Sequence, residues 1–468
     1  MKAESVGRFN NGQSTIEILI ALTVLTISLT GAAAVIFSSQ SLSVDAQESN
    51  QAIRLAGKGL EAARALARDD FSALASSSST KDEFLEEVAV ENVGATTKKV
   101  TSRVSWRTDP LRVQKVELTT LMTNWYSSVS SGGDTGGGGL AGDWSRPKTL
   151  SSIDLGPGNS ATDLDVINKI VYLSAIASSL SKPDFFVINA TDGQNSYIVS
   201  ELDTGPGLNS VDVAGSYAYV ANNSVNAQLQ IIDLTNAANP VLIKSYKLPN
   251  TSGPGAIGNS IFYSNSKVYI GTQKATGPEF HIIDVSSANN PTELGSFEIN
   301  ADVNGIRVVG STAYLAVSSN DELKILDVSN PANITQIGNY DAPGDSEDGK
   351  SLFLVGTKLY LARLLGGNHD DHHELHVLDV SNPASPQNLG SKNFTSSIND
   401  IAVRDNIAFL ATDDSNEEFQ ALDVSNPAAM TKISSFNFPN IATGIDYEDN
   451  LIYVAVRSND ALRIITSQ

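Results

Sequence analysis

Three rhythms of apolar and polar positions follow one another along this chain. The first is an unbroken apolar run: Ile18 to Phe37 is 20 residues without a formal charge, long enough to cross a bilayer as a helix. One carboxylate, Glu17, stands at its start, and at membrane depth such a group is costly unless something pairs with it. The second rhythm is helical. Ile53, Ala56, Leu60, Ala63, Ala67, Phe71 and Leu74 recur at steps of three or four, and no proline occurs before Pro110. This predicts an amphipathic continuation of the helix. A single helix from Ser14 to Leu74 would be about 90 Å long. The third rhythm has period two. Val100, Ser102, Val104 and Trp106 share one strand face, Asp109-Pro110 marks a turn, and Val116, Leu118 and Thr120 resume the alternation.

From residue 149 onward the chain repeats itself. A short strand ends in Asp and is followed by a Pro-containing turn: Ile231-Ile232-Asp233-Leu234, Ile282-Ile283-Asp284-Val285, Ile325-Leu326-Asp327-Val328, Val377-Leu378-Asp379-Val380 and Ala421-Leu422-Asp423-Val424. Three copies continue as Ser-Asn-Pro, at 329–331, 381–383 and 425–427. An aromatic precedes each mark, at Tyr172, Tyr219, Tyr269, Tyr314, Tyr360, Phe409 and Tyr453. Earlier still a short strand begins near Asp163, Ser210, Ser260, Gly305, Ser351, Asp400 or Gly444. Four short strands per unit and no helical pattern predict a β-propeller blade. The chain ends after the third strand of the seventh unit. The missing strand is available upstream, because Thr149–Leu155 matches the fourth strand of the first unit, Tyr197–Asp203. The ring is therefore expected to close with 149–155 beside 461–466, which removes exposed sheet edges.

Two resemblances follow from these residues. Gly12, Ser14-Thr15-Ile16-Glu17 and the apolar run resemble the class III leader and N-terminus of type IV pilins and pseudopilins. The resemblance implies cleavage by a prepilin peptidase between Gly12 and Gln13, methylation of the new N-terminus, and a Glu17 that neutralises the α-amino group of a neighbouring subunit. Gln13 departs from the family, which usually has phenylalanine there. The repeat resembles the LVIVD propellers of bacterial and archaeal surface proteins; Asn189 and Thr466 stand where the repeat Asp belongs in the first and last copies.

Composition sharpens the division. The chain has 468 residues and no cysteine, so each domain must rely on its own core. Residues 1–130 hold 13 Lys+Arg and 14 Asp+Glu, and the remainder holds 18 and 38. So acidic a C-terminal part repels phosphate backbones, which argues against nucleic-acid binding. Ser127 to Gly142 is rich in Gly and Ser and reads as a flexible linker.

The expected organisation is multidomain. A leader spans 1–12, and a pilin-like α+β module spans 13–127 with a membrane and assembly helix at 14–74 and a small β-region at 86–127. A linker covers 128–142, and an all-β seven-bladed propeller covers 143–468, closed by an N-terminal strand. The expected location is a single-pass cytoplasmic membrane protein before assembly, then a pilus or cell-surface protein with an extracellular propeller. Expected partners are other pilin subunits, the prepilin peptidase, the inner membrane and an extracellular protein or glycan.

Several residues are candidates for chemistry. Polar residues precede the inner strands all round: Thr162, Asn209, Asn259, Asn304, Lys350, Asn399 and Thr443. They are expected to ring one mouth of the central channel, where amides can hold water, an ion or a sugar hydroxyl; Asn also serves turns of positive φ. His369, His372 and His373 lie in an inserted loop and offer ligands for a transition metal. His376 aligns with Gln230, Lys324 and Gln420, read as a solvent-facing strand position. Asp345 and Asp348 lie in an oxygen-rich loop suited to Ca²⁺, without the full spacing of an EF-hand. The Asp and Ser of each Asp-Val-Ser-Asn-Pro turn read as turn formers. No catalytic constellation emerges and no obligatory cofactor is implied, so the chain reads as a minor pilin or pseudopilin displaying an adhesive, non-enzymatic propeller. The alternatives are a propeller enzyme or substrate-capture subunit of a secretion pseudopilus, and an uncleaved membrane-anchored propeller.

Overall fold

The computed structural model describes residues 22–23, 26, 28–30, 48–64, 66, 74–81, 84–93, 97–109, 112–123, 140–177, 179, 181–343, 348–365 and 373–468. The chain divides into two compact units, Met1–Thr123 and Asn124–Gln468.

In the first unit, β1 (Ser77–Lys81), β2 (Phe84–Asn92), β3 (Thr97–Asp109) and β4 (Arg112–Thr123) form an antiparallel sheet in sequence order. The period-two face of β3 is buried as expected: Val100, Val104, Trp106 and Ser102 all lie inside. A helix over 48–64, about 25 Å long, seals that face with Ala52, Ala56, Leu60 and Ala63.

Two expectations are corrected here. The described residues show neither a continuous helix over 14–74 nor a pilin-like α+β head; they are nearly all β. Leu74 lies outside the helix, buried at 3% exposure, and Ile53 of the expected stripe is 47% exposed. Nor is a single-pass membrane anchor supported, because no helix of the described residues is long and apolar enough to cross a membrane. The 48–64 helix is amphipathic with small buried side chains and carries Arg54, Lys58, Glu61 and Arg64, a pattern for packing on a sheet rather than facing lipid.

The second unit contains seven four-stranded antiparallel sheets. Six are continuous in sequence, spanning 159–202, 208–246, 258–297, 303–340, 349–392 and 398–436 (blades 1 to 6). Blade 7 takes three strands from 442–466 and its fourth from β5 (Lys148–Asp154), paired as Ile153↔Leu462 and Thr149↔Ile465. The first strands of successive blades adjoin one another, blade 7 against blade 1 included, so they ring a central axis. Hairpins between first and second strands use residues tolerant of positive φ, such as Asn168-Lys169 (54°, 60°) and Asp405-Asn406 (46°, 66°), as type I′ turns require.

The repeat turns lock blade to blade. A Cβ on Gly295, Gly338 or Gly390 would overlap the carbonyl of Pro331, Pro383 or Pro427 in the next blade. The outer strands of blades 3, 4 and 5 therefore seat the following blade's Pro turn. Within the turns, Asp233, Asp284, Asp327, Asp379 and Asp423 accept the N–H two residues on at 2.7–2.9 Å. Blade 7 borrows its turn as well as its strand. By register with blade 6, Asp143-Trp144-Ser145 replaces Asn426-Pro427-Ala428. Asp143 Oδ1 accepts the Ser145 N–H at 2.9 Å, as Asn426 Oδ1 accepts that of Ala428 at 3.2 Å. Trp144 is 4% exposed, edge-on to Phe409 at 4.8 Å, and its carbonyl accepts from Ser434 Oγ of blade 6 at 2.8 Å.

Candidate functional site

Each inner strand carries a β-bulge, and the unpaired residues of the seven bulges are the seven residues singled out from the sequence. The register slips between 161 and 163, 208 and 210, 258 and 260, 303 and 305, 349 and 351, 398 and 400, and 442 and 444. A bulged residue leaves the ladder, so its side chain is free to be re-aimed. None of the seven has positive φ.

Six of them form a belt. Each donates to the backbone carbonyl just before the next blade's bulged residue. Thr162 Oγ1 reaches Leu208 O at 2.7 Å, Asn209 Nδ2 reaches Gly258 O at 2.6 Å, and Asn259 Nδ2 reaches Val303 O at 3.0 Å. Asn304 Nδ2 reaches Gly349 O at 2.7 Å, Asn399 Nδ2 reaches Ala442 O at 2.8 Å, and Thr443 Oγ1 returns to Ala161 O at 3.0 Å. Lys350 is the gap. Its ammonium forms no hydrogen bond or ion pair among the described residues. Burial pushes its pKa down, while Asp400, Asp163 and Asp302 oppose that shift and Arg457 adds to it.

Below the belt the channel is acidic on one side. Asp446, Asp165 and Asp212 occupy equivalent positions in blades 7, 1 and 2; Phe262, Arg307 and Phe353 occupy them in blades 3, 4 and 5. The guanidinium of Arg307 lies over both flanking rings, 5.6 and 5.9 Å from their centroids. The carboxylates cap backbone N–H groups of the next blade: Asp446 takes Val166, Asp165 takes Val213 and Asp212 takes Tyr263, at 2.7–3.0 Å. One level up, Asp163 accepts from Ser210 Oγ, Val211 N and Leu164 N, and Asp400 from Ser351 Oγ, Ile401 N and Ile445 N. Burial raises the pKa of all five; Asp163 and Asp165 rise to about 6, against the pull of these hydrogen bonds.

The remaining candidates fare differently. Gly12, Gln13 and Glu17, with His369, His372 and Asp345, lie outside the described residues. Burial raises the pKa of Asp348, and His373 approaches Ser391 Oγ through Nδ1. No metal-holding group of three His, Asp or Glu residues occurs among the described residues. The solvent-facing reading of His376 is overturned. His376, Gln230 and Gln420 are 2–4% exposed, because third strands are covered on both faces by neighbouring blades. Burial, then the charge of Arg363, lowers the His376 pKa to about 3, so the ring is neutral at physiological pH.

The sequence reading missed a second repeated position. Five residues before the repeat Asp stands a buried acid or amide: Gln228, Glu279, Glu322, Glu374 and Glu418, with Asp184 before Asn189. Each accepts a backbone N–H twenty residues on and ties down the crossing to the next blade; the donors are Leu248, Ile299, Ala342, Phe394, Phe438 and Thr204. The constant spacing of five was the available signal. Burial raises Asp184 to about 6 and Glu322 to about 7. At Glu322 the next blade adds Arg363, whose Nη2 lies 2.6 Å from Oε1.

His281 links Glu293 Oε1 (2.6 Å) to Thr251 Oγ1 (2.9 Å). This is a hydroxyl–imidazole–carboxylate chain with the reach of a nucleophile and base. Thr251 and His281 are 3% and 0% exposed, and Thr251 Oγ1 also meets the Pro278 carbonyl at 2.9 Å. The chain clamps the 249–252 loop onto residues 276–278, whose contact continues in the Ser252↔Thr276 bridge.

Comparisons with known proteins agree with this architecture. Solved structures similar to the chain include the Mitotic Checkpoint Complex (15% identity, TM-score 0.52, 70% of this chain and 96% of that one). A catalytically inactive virginiamycin B lyase from Staphylococcus aureus with quinupristin matches at 13% identity and TM-score 0.52, over 69% of this chain and all of that one. The WD40 β-propeller domain of Doa1 matches at 13% identity and TM-score 0.50, over 69% and 97%. At such identities the likeness establishes the fold alone. No curated protein matches the chain. The LVIVD repeat family matches residues 208–248, 301–342, 370–393 and 397–437, so the second unit is a β-propeller built of LVIVD repeats.

Proposed function

We propose that the chain is a binding protein whose ligand enters the belt-lined mouth of the propeller channel, and that its N-terminal segment is of the pilin or pseudopilin type. The observation that carries the first part is the broken belt. Six of its seven positions are spent on holding neighbouring blades together, and the seventh presents a half-buried ammonium that has no partner among the described residues. A half-buried charge that the described residues leave unpaired costs stability, which fits a ligand contact better than a scaffold role. The second part is supported by the sequence Gly12-Gln13-Ser14-Thr15-Ile16-Glu17. Together they describe an adhesive subunit of pilin type that recognises an extracellular protein or glycan.

Two experiments test the reading. A glycan and protein array probed with the full-length chain and with Lys350→Met should show binders lost in the variant; binders indifferent to Lys350 would remove the channel mouth as the site. Mass spectrometry of the N-terminal peptide from native protein should find a chain beginning at Gln13. A peptide beginning at Met1 would remove the pilin assignment and leave the propeller reading intact.

A further inference from the structure

We propose that β4 of the first unit docks a second copy of this chain, edge to edge and antiparallel, in the register that sets Lys115 against the partner's Glu117. The proposal rests on neither the propeller channel nor the N-terminal motif.

The sheet order β1-β2-β3-β4 makes β4 an edge: one side meets β3, and the other meets no strand among the described residues. An edge strand offers its free N–H and C=O groups to another strand. The two edges of this sheet differ. β1 has five residues and β4 has twelve, which is about 40 Å of extended chain. The ladder of β4 with β3 is continuous from Thr97↔Thr123 to Trp106↔Gln114, so no bulge turns that stretch of the edge away, and β4 contains no proline. Bulges, proline and shortness are the usual means of blocking such an edge, and a charged side chain is the fourth. Here the charge has two signs. Lys115 and Glu117 share the outward face, with Nζ 3.3 Å from Oε1, between the exposed Val113 and Leu121.

That pair makes the edge self-complementary in one register. A strand joins its own copy about a two-fold axis. Slides of one residue are excluded, because they set outward side chains against inward ones. An axis through Lys115 opposes two ammonium groups, and an axis through Glu117 opposes two carboxylates; like charges directly opposite destabilise a pair. Further slides set both charges against neutral residues. An axis through Val116 sets Lys115 against the partner's Glu117, Glu117 against the partner's Lys115, and Val113 against the partner's Thr119. The same register continues a ladder that already crosses the sheet. Glu87 lies 3.7 Å from Arg103, and Arg103 lies 2.5 Å from Glu117; the partner's Lys115 supplies the next alternation of sign.

The chain has no cysteine, so introduced thiols report the register without background. Directly opposed Cα atoms of antiparallel strands lie about 4.5–5.5 Å apart, within disulfide reach. Full-length Val113→Cys mixed with full-length Thr119→Cys should give a disulfide-linked dimer under mild oxidation. Neither variant alone should do so, because each thiol then lies about 20 Å from its own copy. Adding Lys115→Glu to both chains should lower the yield at limiting concentration about 10-fold, as attraction becomes repulsion at both symmetric contacts. Placing Lys115→Glu on one chain and Glu117→Lys on the other should restore it, since every outward charge again meets its opposite. These positions are exposed or partly exposed, and unchanged melting temperatures show that the sheet is intact. A mixture that gives no more linked dimer than either variant alone overturns the proposal. So does a yield indifferent to Lys115→Glu, which would mean that the charges do not select the partner.

Discussion

Completing the belt should stabilise the propeller. The perturbation is Lys350→Asn, which places an amide opposite the carbonyl of Ile398, the residue before Asn399 in the next blade. In the other six blades this geometry gives donor–acceptor distances of 2.6–3.0 Å. A net intramolecular hydrogen bond contributes about 0.5–1.5 kcal/mol. Removing a half-buried cation with no partner among the described residues acts in the same direction. A gain of about 1 kcal/mol raises the melting temperature by about 2 °C in a domain of this size. The reverse change, Asn399→Ala, deletes the 2.8 Å bond to Ala442 O and should cost about 1–2 kcal/mol by leaving that carbonyl short of a donor. Urea unfolding read through Trp144, in a Trp106→Phe/Trp125→Phe background, isolates the propeller transition. If Lys350→Asn is less stable than its parent while Asn399→Ala is neutral, the belt carries no stability and the reasoning fails.

Four further outcomes follow from the same structure. Arg363→Met should cost about 3–5 kcal/mol because it strands Glu322 at 1% exposure, and Glu322→Gln/Arg363→Met should recover most of it; a double-mutant cycle in urea measures both. Stability should fall as pH rises from about 4 to 7. Asp163, Asp165 and Asp184 titrate near 6 and Glu322 near 7 when folded, so over that range the unfolded chain releases protons that the folded chain retains. Unfolding midpoints at pH 4.5 and 7.5 give the sign. Trp144→Ala should cost about 3–5 kcal/mol and speed amide exchange in 148–154 and 460–466 before the other blades. Gly338→Val should prevent seating of the Pro383 turn, seen as loss of the cooperative transition.

What was legible in the sequence was whatever repeats within one blade. The bulge residues, the turn aspartates and the closing strand all announce themselves by recurrence, and each is placed by short-range chemistry. What escaped depends on neighbours the pattern does not name. His376 lies on a strand whose second face is covered by another blade, so a period-two reading wrongly exposed it. The buried acids at Glu279, Glu322, Glu374 and Glu418 look like surface charges until their partners twenty residues on are known. Asp143-Trp144-Ser145-Arg146-Pro147 resembles the Asp-Val-Ser-Asn-Pro turn in spelling, yet its register sets Asp143 opposite Asn426. The long helix was drawn across Leu74 because a stripe of small apolar residues does not say whether a sheet or another helix covers it.

A ring of seven near-equivalent blades carries its own reference, and that is why its irregular residues can be interpreted. Among the basic side chains at buried or channel positions are His281, which shares its strand position with Lys324 and His376, and Arg307, Lys350 and Arg363. Three are compensated in place. His281 has Glu293 at 2.6 Å and Arg363 has Glu322 at 2.6 Å. Arg307 is held between Phe262 and Phe353, and its charge partly opposes the rise that burial gives the pKa of Asp165 and Asp212 across the channel. Lys350 alone replaces a structural contact with none among the described residues. A scaffold under selection for stability alone would complete the belt, since one amide suffices. That no compensation occurs among the described residues fits the proposed ligand contact at the mouth of the channel.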